Sequence, residues 1–99
     1  MIMQPNEITE LRRLVGLSQA TYGQLMGVTG GTVSHWESGI RTPPPIYHVV
    51  MIQLRTRVLQ MPDTGSAKQA LNSIIISGGV LGFLNWLYAN AHTTKGVQQ

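Results

Sequence analysis

The 99-residue chain has no cysteine, few aromatic residues and little charge: 6% are Phe, Trp or Tyr and 11% are Asp, Glu, Lys or Arg. Without cysteine it forms no disulfide framework, zinc-thiolate site or thiol nucleophile, so it must hold together by packing alone or with a partner chain. The same lack of cysteine fits a reducing compartment, and a cytoplasmic location is expected. A chain this short suits one small globular unit and excludes a multidomain enzyme. Acidic residues are the scarcer sign, four against seven Lys and Arg, giving a net charge of +3 and an isoelectric point near 9.8. That balance favours an anionic partner. The opening Met1-Ile2-Met3-Gln4-Pro5-Asn6-Glu7 lacks the basic and apolar regions of a secretory signal.

Catalytic and metal-binding constellations are equally scarce. His35, His48 and His92 have no carboxylate cluster or HxxxH spacing beside them, so no metal or other cofactor is expected. Ser34 and His35 are neighbours, but adjacent side chains on a helix diverge by about 100°, which excludes a nucleophile and base pair. Gly78-Gly79-Val80-Leu81-Gly82 is not a phosphate-binding loop, because it lacks GxGxxG spacing and a following Lys-Ser or Lys-Thr. An enzyme is not expected.

The charge that is present lies mainly in one half. Nine of the eleven charged side chains fall at or before Asp63, leaving Lys68 and Lys95 on either side of an uncharged stretch. Met61-Pro62-Asp63-Thr64-Gly65 separates the halves as a turn. Upstream, small residues punctuate bursts of helical periodicity. Asn6 is the predicted cap of a first helix with Ile8, Leu11, Leu14 and Val15 on one face, ended by Gly16. Ser18 caps Gln19 to Met26, which ends at Gly27. Thr29 caps a third helix that buries Val33, Trp36 and Ile40 and stops at Gly39. A fourth follows Pro43-Pro44-Pro45, with Ile46, Val49, Val50, Leu54 and Val58 as its apolar stripe.

Two short helices joined by a tight glycine turn constitute a helix-turn-helix. The runs Leu17-Ser18-Gln19-Ala20, Leu25-Met26-Gly27-Val28-Thr29, Thr32-Val33-Ser34-His35-Trp36-Glu37-Ser38-Gly39 and Arg41-Thr42-Pro43 resemble the Cro/C1 (Xre) family of phage repressors, bacterial regulators and antitoxins. The likeness spans about residues 6–61. It implies an all-α, lambda-repressor-like domain of four to five helices over residues 1–61, and double-stranded DNA as partner.

By that resemblance Gln19 and Thr29 contact phosphates, and Gly30, Gly31, Ser34 and His35 occupy base-reading positions, with Thr32 able to reach a phosphate or a base edge. Two glycines among four readers depart from the family's usual Arg, Gln or Ser, which shifts the expected specificity onto His35, Ser34 and Thr32. Arg12 and Glu37 occupy positions that form an internal ion pair in the family, and Arg41 is placed at the phosphate backbone. Gly23 stands where alanine is common, and the swap is expected to preserve the helix crossing at a cost of about 0.5–1 kcal/mol in helix propensity. Arg13, Arg55 and Arg57 read as solvated, and Trp36 as core.

Residues 66–92 are apolar nearly all round, with Ser66 as the predicted cap and Gly78-Gly79 either breaking the segment into a helix pair or offering a close-packing surface. Three readings stand: a helix folded back on the first domain, a dimerisation element, or a membrane anchor. Asn72, Ser73, Ser77, Asn85 and Asn90 dilute the last. The dimerisation element is the expectation adopted, because modules of this family occupy two half-sites as two-fold dimers. The functional expectation is a dimeric repressor on a palindromic operator. The alternative is an antitoxin or interaction module whose second half binds a protein partner.

Overall fold

The computed structural model describes the backbone of residues 2–96 and the side chains of residues 2–88. The described residues form an all-α, lambda-repressor-like fold: α1 Pro5–Leu14, α2 Gln19–Met26, α3 Gly30–Ser38, α4 Pro45–Leu59, α5 Thr64–Ser77 and α6 Gly79–Gly96.

Helix ends follow local chemistry. Ser18 and Thr29 cap α2 and α3, their hydroxyls accepting the Thr21 and Thr32 amides at 3.1 Å each. Left-handed Gly27 and Gly39 (φ 76° and 81°) terminate the same two helices, a conformation that side-chain-bearing residues adopt only with strain. Two caps differ from the sequence expectation. Pro5 occupies the first turn of α1, and the Glu7 carboxylate accepts the Gln4 amide at 2.8 Å, so the helix starts before Asn6. Asp63, with the stronger acceptor, caps α5 by taking the Ser66 amide at 2.7 Å, which places Ser66 inside the helix.

One hydrophobic cluster runs through all six helices. Ile8, Leu11 and Val15 meet Tyr22, Leu25, Val33 and Trp36 beneath α4, which contributes Val50, Met51, Leu54 and Val58. Trp36 is core, with its ring centroid 5.1 Å from that of Tyr47. Ile40 is 70% exposed because it follows the Gly39 stop, and Ile46 and Val49 are exposed at the outer start of α4. His48 is buried instead. Its Nδ1 accepts the Met3 amide at 3.0 Å and its Nε2 donates to the Pro43 carbonyl at 3.1 Å, so only the neutral ring with the proton on Nε2 satisfies both.

The uncharged second half is two helices. Gly79 adopts φ 57° and reverses the chain, and an added Cβ on Gly78 would lie 2.9 Å from the Gly82 Cα, so the start of α6 passes too close to Gly78 for a side chain there. The hairpin's Ala67, Leu71, Phe83 and Leu87 join the common core against α2 and α4. Arg57 lies over the Trp86 ring at 4.4 Å, which ties α4 to α6 and departs from the solvated reading of that arginine. Ile76 and Leu81, 87% and 80% exposed, stand near the hairpin tip. Among the described residues, no helix is long and apolar enough to cross a membrane.

Candidate nucleic-acid interface

The face formed by the start of α2 and the outer side of α3 collects the residues singled out in the sequence. On α3, Val33 and Trp36 turn inward while Gly31 and His35 are exposed and Thr32 and Ser34 are half-buried. This is the division that a 3.6-residue period imposes on a nine-residue helix lying across a core. Gln19 is half-buried at the start of α2, and Thr29 and Arg41 are exposed at the start and just beyond the end of α3. The Arg41 amide donates to the His35 carbonyl at 3.2 Å, which fixes the chain as it leaves the helix. The first amides of α2 and of α3 lack intrahelical acceptors, so each helix start presents donors and the positive end of its dipole.

The two helices are held in register by backbone proximity. A Cβ on Gly23 would fall 2.5 Å from the Val28 carbonyl oxygen. The expectation that glycine here merely substitutes for alanine is therefore corrected: the turn passes too close to α2 for any side chain. Gly30 has a similar role, since its Cβ would lie 3.0 Å from Cα and 3.1 Å from N of Ala20. Gly31 differs, meeting only the Thr29 hydroxyl at 3.7 Å. Of the two glycines expected to read bases, one packs the helices and the other has room for a side chain.

Behind this face lies an ionic clamp. The Arg12 guanidinium donates through Nε to Glu37 Oε2 at 2.6 Å and through a second nitrogen to Oε1 at 3.1 Å, and it also donates to the Leu17 carbonyl at 2.9 Å. The bidentate pair joins the end of α1 to the end of α3, as the resemblance implied. Gln19 donates its side-chain amide to the same carboxylate at 3.1 Å, a link that sequence spacing does not reveal. Burial pushes the Glu37 carboxyl up, but hydrogen bonds from Arg12, Gln19 and Thr9 together with the Arg12 charge bring it below the ordinary carboxylate value. Arg12 is raised, chiefly by its hydrogen bond to Glu37. The Tyr22 hydroxyl, fully buried and feeling both charges of the clamp, makes no hydrogen bond among the described residues, and burial drives its pKa strongly upward.

Chemically, the face offers hydroxyls, one imidazole, backbone amides and the Arg41 guanidinium, which has no acidic partner among the described residues, and these groups suit phosphate oxygens and base edges. No group of three or more His, Cys, Asp or Glu that could hold a metal occurs among the described residues.

Comparison with known proteins agrees with this geometry. No curated protein and no solved structure matches the chain. The Helix-turn-helix family model matches residues 8–47, from the first buried isoleucine of α1 to the tyrosine that packs on Trp36. The match contains α2, the Gly27 turn and all of α3, and residues 8–47 are similar to the DNA-binding helix-turn-helix domains of the Cro/C1 type.

Proposed function

We propose that the protein is a cytoplasmic transcriptional repressor that binds a palindromic operator as a dimer, each copy placing α3 in a major groove. The observation that carries the reading is the two-sidedness of α3: Val33 and Trp36 lock it to the core while Thr32, Ser34 and His35 remain available on its other face. In this reading Gln19 and Thr29 position the domain on phosphates, Thr32, Ser34 and His35 read base edges, and Arg41 grips the backbone beyond the groove. Gly30 and Gly31 allow α3 a close approach, so part of the specificity comes from DNA shape. The partner is a second copy, and the hairpin within residues 66–92 is the proposed dimerisation element, supported by exposed Ile76 and Leu81 near its tip.

The test uses the full chain, because the hairpin shares the core with the helix-turn-helix and its removal would unsettle both. Fluorescence anisotropy against a duplex selected from a random library and against a scrambled duplex, with light scattering to count chains, gives the result. Selective binding by two chains supports the reading. Equal weak binding to both duplexes overturns the repressor assignment, and selective binding by one chain overturns the dimer.

A further inference from the structure

We propose that the C-terminal hairpin itself contributes to the DNA interface: Lys68, with Arg13, contacts the backbone phosphate beside the one met by the start of α2. The inference rests on the DNA-binding reading above and adds a contact from outside the helix-turn-helix. Lys68 is the only charged residue of α5. Its side chain lies against Gly16, where an added Cβ would be 2.9, 3.4 and 3.6 Å from its Cδ, Cε and Cγ. Gly16 is left-handed at φ 71°, and its amide donates to the Arg13 carbonyl at 3.0 Å. Two residues later Ser18 caps α2. The lysine stem is therefore laid across the turn between α1 and α2, carrying its ammonium to the entrance of the helix-turn-helix.

The distribution of charge supports a phosphate as the occupant. Arg12 is spent on Glu37, Arg55 lies 3.8 Å from Glu7, and Arg57 covers Trp86. Arg13, Lys68 and Arg41 have no acidic partner among the described residues. Lys68 lies at the turn before α2, exposed Arg13 belongs to the last turn of α1 that leads into it, and Arg41 sits just past α3, so cations without an acidic partner among the described residues occur in sequence on both sides of the recognition unit. Backbone phosphates flank a major groove on both sides in the same way, and each cation that meets one releases counterions.

The experiment measures affinity of the full chain against salt for the wild type, Lys68→Met, Lys68→Gln and Arg55→Gln, on both the selected and the scrambled duplex. Methionine keeps the stem over Gly16 and removes only the charge. Both Lys68 variants are expected to melt like the wild type, lose a similar factor on the two duplexes, and lower the slope of log K against log salt by about 0.9. Arg55→Gln should leave the slope unchanged. A wild-type slope retained by both Lys68 variants overturns the proposal, as does an equal fall for Arg55→Gln, which would indicate net charge rather than a local contact. Failure of the wild type to bind either duplex would instead overturn the DNA-binding reading.

Discussion

Gly30 and Gly31 are adjacent and chemically identical, and both are proposed to face DNA, yet they should respond oppositely to alanine. A Cβ at Gly31 would meet only the Thr29 hydroxyl at 3.7 Å, an ordinary contact, so Gly31→Ala gains helix propensity without a clash, a stabilisation of at most about 0.5–1 kcal/mol in this first turn. A Cβ at Gly30 lies 3.0 Å from the Ala20 Cα and 3.1 Å from its nitrogen. Those are backbone atoms of α2, which cannot rotate away as a side-chain tip can, so α3 must move outward. Overpacking of this kind costs about 1–3 kcal/mol. Because both variants share the propensity gain, the overpacking term alone separates them. At about 4–8 °C per kcal/mol for a domain of this size, Gly30→Ala should melt at least about 4 °C below Gly31→Ala. Thermal unfolding followed by circular dichroism reads the difference. Equal melting temperatures, or a more stable Gly30→Ala, would refute the claimed approach of α2 and α3.

Three further perturbations address the core and the clamp. Tyr22→Phe removes a buried hydroxyl that has no partner among the described residues, and should raise stability by about 1 kcal/mol in urea titrations; a loss would show that the hydroxyl is satisfied. Glu37 titrates below the ordinary carboxylate value of 4.5, so its contribution is complete above that pH and is lost as pH falls through the lower folded value. Melting temperatures of the wild type and Glu37→Gln should therefore differ most near neutrality and converge in acid, and a constant gap would contradict the lowered pKa. Phe83→Ala should cost about 3–5 kcal/mol and lower the melting of the whole molecule in one transition, whereas an unchanged helix-turn-helix would mean that α6 is not part of its core.

The helix-turn-helix was legible in the sequence because local chemistry determines it: Ser18, Gly27, Thr29 and Gly39 each start or stop a helix where the structure places that event. The Arg12–Glu37 pair was accessible only through family resemblance, since nothing local links residues 25 positions apart. Competing caps were harder to separate, and a carboxylate at Asp63 prevailed over the hydroxyl of Ser66. Periodicity also assigned Ile46 to the α4 stripe, but the core ends before that first turn and leaves it at the rim of a hollow lined by Leu25, Met26, Val80 and Phe83. Close approaches are the least visible class. That Gly23 admits no Cβ, that Gly30 touches α2 and that Lys68 crosses Gly16 depend on distances no spacing rule encodes. The apolar second half gave the weakest signal, because a helix without a polar face does not reveal which side it buries. Its division at Gly78-Gly79 followed from the chain reversal at Gly79.

The central claim is that the outer face of α3 reads DNA sequence, and the most direct test compares His35→Ala with the wild type on the selected and the scrambled duplex. His35 is exposed and Trp36 beside it is buried, so this variant leaves the core intact. The account predicts a loss of about 1–3 kcal/mol on the selected duplex with little change on the scrambled one. Equal losses on both, or none on either, would contradict base reading by this face.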